Sequence, residues 1–173
     1  EVFFWDRRGL GLIYLLTAAQ LHERLGPDKL GPDALVVNGE DLHRIFGASK
    51  RPIKVALLDQ KRIAGVGNLY ASELLHLAGI HPAKMCHRIT RQQWLTICEA
   101  MQTILQTAIE HEGSTLSDGT YRNALNDPGG YQNMHRVYDK ENKTCPTCHN
   151  QIIERIVQAQ RSTFFCKGCQ TRG

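Results

Sequence analysis

Apolar residues between positions 90 and 110 fall at Trp94, Ile97, Cys98, Met101, Ile104, Leu105, Ala108 and Ile109. Steps of three and four are the helical period, so the spacing predicts a long helix with this stripe turned towards a core. Thr90-Arg91-Gln92-Gln93 supplies its start, because a cap hydroxyl and a glutamine three residues on can each satisfy the other's backbone N–H. Shorter helices are predicted before it. One runs from Thr17 to Leu25. A second is capped by Asn38-Gly39-Glu40-Asp41 and continues to about Phe46, with acids in its first turn. A third covers residues 51–60, with Pro52 near its start, where the missing N–H costs nothing. After Gly65-Val66-Gly67-Asn68 a fourth resumes from about Asn68 to Ala78, and Gly79 stops it.

The period changes at both ends. Residues 1–16 read as strand material: Val2 to Trp5, a polar break at Asp6-Arg7-Arg8-Gly9, then Leu10 to Leu16. Gly26-Pro27-Asp28 and Gly31-Pro32-Asp33 are turn signals that bracket a linker. Near the other end, Gln151 to Val157 is rich in β-branched residues and predicts a strand. Ala159-Gln160-Arg161-Ser162 predicts a polar turn, and Thr163-Phe164-Phe165 a second strand. Residues 113–133 hold several Gly, Ser, Asn and Asp, and are long for a passive connection, which suggests a functional loop. The chain is thus mainly α, with a β-hairpin near its end.

Composition narrows the class. No run approaches the roughly 20 apolar residues of a membrane span, and the start lacks the basic region of a signal peptide. The net charge of +4 is unevenly placed: residues 140–173 carry Lys140, Lys143, Arg155, Arg161, Lys167 and Arg172 against only Glu141 and Glu154, while the rest balances. A basic module favours a polyanionic partner.

That module contains Cys145-Pro-Thr-Cys148 and, seventeen residues on, Cys166-Lys-Gly-Cys169. Two Cys-x-x-Cys knuckles at this spacing read as a zinc ribbon. Four thiolates leave no open position, so the Zn²⁺ would be structural. Two redox-active pairs or two disulfides are the other uses of such cysteines. Cys86 and Cys98 lie in helical surroundings and read as buried small residues. Arg161 falls near the tip of the clamped hairpin. An arginine there suits a DNA groove or a phosphate, although a solvated turn arginine fits the same spacing.

Gly65-Val66-Gly67-Asn68 opens a helix whose first N–H groups are unpaired, with Asn68 at its mouth and Lys54 and Lys61 before it. This is phosphate-binding geometry. It lacks the preceding strand of the dinucleotide fingerprint.

Together, Ile53-Lys54-Val55-Ala56-Leu57-Leu58-Asp59-Gln60-Lys61 and Gly65-Val66-Gly67-Asn68-Leu69-Tyr70-Ala71-Ser72-Glu73 closely resemble the helix–two-turn–helix element of the formamidopyrimidine-DNA glycosylase / endonuclease VIII family. Ala78-Gly79-Ile80-His81-Pro82 resembles the exit of that element. Ala159-Gln160-Arg161-Ser162-Thr163-Phe164-Phe165-Cys166 resembles the family's zinc-hairpin signature. The wording is closest to the formamidopyrimidine-DNA glycosylase branch, which acts on oxidised purines.

The resemblance implies a layout. Residues 1–30 would be the end of a catalytic β-sandwich plus linker, 31–138 the helix–two-turn–helix domain, and 139–173 the zinc hairpin. It implies roles too. Lys54, Asn68 and Arg161 would grip the phosphates flanking a lesion. Arg8 aligns with an arginine that reads the estranged cytosine, and Leu10 with the usual phenylalanine wedge, while Gly9 replaces a basic residue. Residues 114–131, especially Thr120 and Tyr121, resemble the loop covering the flipped base. The family's nucleophile is an N-terminal proline amine on an upstream domain, and this chain begins Glu1-Val2. No catalytic residue is therefore expected in it beyond Arg161 in support, and the chain alone is expected to be inactive.

The implied function is the DNA-binding half of a bifunctional glycosylase and lyase in base-excision repair. The implied partner is double-stranded damaged DNA, with one Zn²⁺ per monomer, in a bacterial cytoplasm at the nucleoid. The base must leave the stack before its glycosidic bond can be attacked, so a gripped, kinked duplex is required. The alternatives are a non-catalytic damaged-DNA-binding module, an endonuclease VIII-type enzyme acting on oxidised pyrimidines, and a zinc ribbon that binds RNA or protein. The last has no use for the Gly65 to Glu73 motif.

Overall fold

The computed structural model describes residues 4, 6, 9, 11–116, 119, 121–123 and 125–171. Among them are helices α1 (Ala18–Leu25), α2 (Gly39–Phe46), α3 (Ile53–Leu57), α4 (Asn68–Leu77) and α5 (Arg91–Glu110). One antiparallel hairpin follows, β1 (Ile153–Gln158) and β2 (Arg161–Cys166). No described helix is long and apolar enough to cross a membrane.

Helix α5 is the axis on which α2 and α4 pack. Its capping box forms as the sequence predicts: Gln93 N donates to Thr90 Oγ1 at 3.2 Å, and Thr90 N donates to Gln93 Oε1 at 3.1 Å. Trp94, Ile97, Cys98, Met101, Ile104, Leu105 and Ala108 are all buried, and Trp94 stacks on Phe46 at 6.0 Å between ring centroids. Ile109 departs from the expected stripe. It is 56% exposed, because the last turn of α5 faces an open cavity instead of a packed neighbour. Gly39 lets α2 approach closely, since a Cβ there would lie 2.9 Å from Leu95 Cα.

Helix α3 ends at Leu57, short of the expected residue 60. The Asp59 carboxylate accepts from Lys61 N at 3.2 Å and Arg51 Nη1 at 2.8 Å, and its carbonyl accepts from Arg62 N at 2.8 Å. These bonds bend the chain into a turn before it can enter α4. The strand expected in residues 1–16 is absent from the described part of that segment. Leu12, Ile13, Tyr14 and Leu15 stand exposed, with no described segment beside them to complete a ladder. Helix α1 has its Thr17–Gln20 capping box but buries no side chain.

The hairpin turn is tighter than the sequence suggests. Only Ala159 and Gln160 form it, with φ of 46° and 61°. Positive φ at both central residues is the type I′ geometry that matches strand twist. Arg161 therefore begins β2, paired with Gln158 in the ladder. A second, small core of Val137, Cys145, Ile153, Phe164 and Cys166 lies under the hairpin, and β2 docks on α4.

Candidate nucleic-acid interface and metal centre

The turn into α4 is built by Gln60. Its Oε1 accepts from Gly65 N at 3.0 Å, and its Nε2 donates to Val66 O at 3.0 Å. Gly65 has φ of +99°, which side-chain-bearing residues rarely adopt. Gly67 has ordinary φ, and a Cβ there would meet nothing closer than 3.9 Å. The room its missing side chain leaves belongs to a cavity, not to a neighbour in this chain. No side chain caps α4. Its first N–H groups and the positive end of its dipole thus face that space.

Lys54 corrects the sequence reading. Its side chain is fully buried. Nζ donates to Asn68 Oδ1 at 2.6 Å, to Thr163 Oγ1 at 2.8 Å and to Ser162 O at 3.0 Å. An ammonium has three donors, and all three are used, so Lys54 has none left for a phosphate. It is a strut that locks α3, α4 and the hairpin together. It also fixes Asn68, whose Nδ2 donates to Ser162 O at 3.2 Å and whose second N–H remains available. Burial, and then the nearby Arg161 guanidinium, lower the Lys54 pKa from 10.5 to about 8.

Arg161 is exposed, and its side chain has no hydrogen-bond partner among the described residues. It lines one cavity of about 330 Å³ with Leu58, Gln60, Gly65, Val66, Gly67 and Asn68. Two of the three residues expected to grip phosphate therefore meet at one cleft, and the third holds them there. A guanidinium, an amide and a helix N-terminus around a space flanked by a buried cation are the donor set that suits an oxyanion.

The four cysteines converge as expected. Their Sγ atoms all lie within 4.8 Å of one another, with Cys145–Cys169 and Cys148–Cys166 each at 3.7 Å. Disulfide sulfurs would be about 2.05 Å apart, and all four are free. A tetrahedron with metal–sulfur bonds of about 2.3 Å has edges of about 3.8 Å, so the cluster fits a four-thiolate metal site. Asn150 N–H beside Cys148 holds its thiol down to about 7. Burial pushes Cys166 and Cys169 up. A bound cation would relieve that opposition.

Sequence reasoning missed the residues that fasten this module to the helices. Glu73, fully buried on α4, accepts from Arg136 N at 2.9 Å, Val137 N at 2.9 Å and Tyr138 N at 2.7 Å. Gln170 donates to Ile80 O and accepts from Cys166 N, both at 2.9 Å. His76, also buried, lies against Cys145. Only the excess of polar residues on an otherwise apolar α4 hinted at Glu73 and His76, and nothing local hinted at Gln170.

Tyr121 is about half exposed and lines a second cavity, of about 440 Å³, with Tyr70, Leu105, Ile109, Glu112 and Gly113. Thr115 Oγ1 donates to its carbonyl at 2.7 Å. Arg8, Leu10 and Thr120 lie outside the described residues.

A short helix, two turns and an uncapped helix, tied through a buried lysine to a hairpin, define a helix–two-turn–helix protein with a four-cysteine hairpin. Residues 25–120 match the family model "Formamidopyrimidine-DNA glycosylase H2TH domain". The chain belongs to the formamidopyrimidine-DNA glycosylase family. It is 42% identical to the formamidopyrimidine-DNA glycosylase of Chloroflexus aggregans over 98% of this chain and 61% of that protein. It is 39% identical to that of Gluconobacter oxydans over 95% of this chain and 60% of that protein. The chain thus spans about 60% of the length of these curated relatives. Among solved structures, the MutM (Fpg) protein of Thermus thermophilus superposes with a TM-score of 0.78 at 40% identity, over 83% of this chain and 55% of that one. Lactococcus lactis Fpg in complex with abasic-site DNA superposes with a TM-score of 0.81 at 31% identity, over 90% and 57%.

Proposed function

We propose that this chain is the DNA-gripping part of a base-excision-repair glycosylase and lyase that removes oxidised purines from duplex DNA. The observation that carries this reading is the Lys54 knot, which ties Asn68 to Ser162 and Thr163 of the strand that begins with Arg161, so that Asn68 and Arg161 line one cleft. Two rigid elements meeting there can hold a backbone phosphate and keep a duplex kinked while a base is extruded. Relatives in complex with abasic-site, Fapy-dG and 8-oxo-G DNA support this substrate class. The four cysteines hold one structural Zn²⁺ that clamps the hairpin base. Tyr121 and the loop around it cover the extruded base, and Arg8 and Leu10 act in the duplex gap. Residues 1–30 belong with a β-sandwich catalytic domain, residues 31–138 form the helix–two-turn–helix domain, and 139–173 form the hairpin. The protein acts as a monomer on the bacterial nucleoid. A polypeptide beginning at Glu1 has no proline amine, so we expect it to bind damaged DNA without forming a borohydride-trappable complex.

The test is fluorescence anisotropy on an abasic-site duplex across a salt series. Arg161→Ala removes a charge-assisted contact of about 1.5–3 kcal/mol and should flatten the salt dependence by about one charge equivalent. Asn68→Ala should weaken binding with little change in slope. If both variants, folded and metal-loaded, bind like the parent, the clamp reading is wrong.

A further inference from the structure

His76 lies one helical turn beyond Glu73 on α4 and is 4% exposed. Its Nε2 sits 3.6 Å from Cys145 Sγ, within the range of an N–H···S hydrogen bond. Its Nδ1 is buried, with no hydrogen-bond partner among the described residues. Cys145 is itself fully buried, so water does not solvate its sulfur. A neutral imidazole carries one N–H. If Nδ1 held it, a buried donor would be stranded, and the Nε2 lone pair would face a thiolate. With the proton on Nε2, the donor meets the sulfur and only a weaker acceptor is left over.

We propose that His76 is the outer-sphere hydrogen-bond donor of the metal site, its Nε2–H aimed at the Cys145 thiolate. The inference rests on the reading that the four cysteines hold Zn²⁺, and it assigns a role to a residue outside the ligand set. Partners of this kind orient a ligand and tune its charge. Here the partner stands on α4, the helix whose first residue is Asn68. The metal is thereby joined to the DNA-gripping helix by a hydrogen bond as well as by packing.

The experiment measures zinc affinity by competition with a chromophoric chelator, on the full 173-residue chain. His76→Phe keeps a ring in the pocket but removes the donor, and should weaken zinc binding about 10–100-fold. His76→Gln returns an N–H near the Nε2 position and should recover part of that loss. In the cobalt-substituted protein, the sulfur-to-metal charge-transfer band should move to lower energy in His76→Phe and part of the way back in His76→Gln. A folded His76→Phe with parental zinc affinity and an unmoved cobalt band overturns the proposal. Should that variant not fold, ¹⁵N NMR of the histidine rings in the zinc-loaded parent decides. A proton on Nε2 of His76 supports the proposal, and a proton on Nδ1 overturns it. A parent chain that takes up no zinc sinks the zinc reading itself, a result distinct from parental loading with an indifferent His76→Phe.

Discussion

The helical body and the hairpin module are held together in different ways. The body encloses a continuous apolar cluster from Ala34 to Tyr131, with Trp94, Ile97 and Met101 of α5 fully buried at its centre. Burial of that kind stabilises in proportion to area and needs no ligand. The small core beneath the hairpin has five buried residues, two of them cysteines. A two-stranded hairpin is marginal in water, whereas structural zinc contributes about 10–16 kcal/mol of apparent binding free energy in small modules. The seam between the two units follows neither pattern. Lys54, Glu73, His76 and Gln170 are all buried there, and each makes a specific polar contact across it. An apolar seam would tolerate sliding. Directional bonds hold one relative placement, and the candidate phosphate cleft lies at this seam.

The largest effect should come from removing the metal. Chelation, or Cys166→Ser, should abolish amide protection in β1 and β2 while α2, α4 and α5 keep theirs. Hydrogen exchange read by mass spectrometry separates the two segments. Loss of protection throughout the chain would mean that the helical core does not stand by itself, and the contrast would collapse.

A smaller effect is expected at the seam. In Glu73→Gln one side-chain oxygen can still accept from Val137 and Tyr138, but the new NH₂ faces the Arg136 N–H, donor against donor. Losing a charge-assisted bond and stranding a buried donor costs about 2–3 kcal/mol. The melting temperature should fall, and exchange at residues 136–138 should quicken before that of α5 changes. Unaltered exchange there would show that the carboxylate does not hold the segment.

What could be read along the chain follows the same division. The Thr90 capping box, the Asn38 cap and the helix start at Thr17 are local, and each appears where its residues predict. The four cysteines were legible because ligand spacing is itself local. The Lys54 strut was not, because a lysine on a short helix ordinarily reads as solvated, and its acceptors lie 14 to 109 residues away. The extent of the turn before Arg161 departs from the sequence pattern for a different reason. Type I′ turns usually announce themselves with Asn-Gly or Asp-Gly, and here Ala159 and Gln160 adopt positive φ without that signal. The convergence of the four cysteines and the docking of β2 on α4 hold the strands in register.

The subtlest expectation concerns protons at the cleft. Lys54 has a pKa lowered to about 8, by burial first and by Arg161 second. In the unfolded chain it would hold its proton up to the ordinary lysine value of 10.5. Between those limits the unfolded state binds more protons, so this group makes stability rise with pH from about 8 to about 10.5. A phosphate in the cleft acts in the opposite sense. It favours the charged ammonium and raises the Lys54 pKa, so binding above pH 8 must take up a proton. Affinity for an abasic-site duplex should therefore be level from pH 6.5 to 7.5 and decline through pH 8 to 9, while thermal stability does not decline with it. In Lys54→Met the decline should disappear, on top of a uniform loss of affinity from the unfixed Asn68. Anisotropy titrations at constant ionic strength measure both. An affinity that stays level to pH 9 in the parent would mean that the Lys54 ammonium does not sense what occupies the cleft, leaving the strut as a purely mechanical link between helix and hairpin.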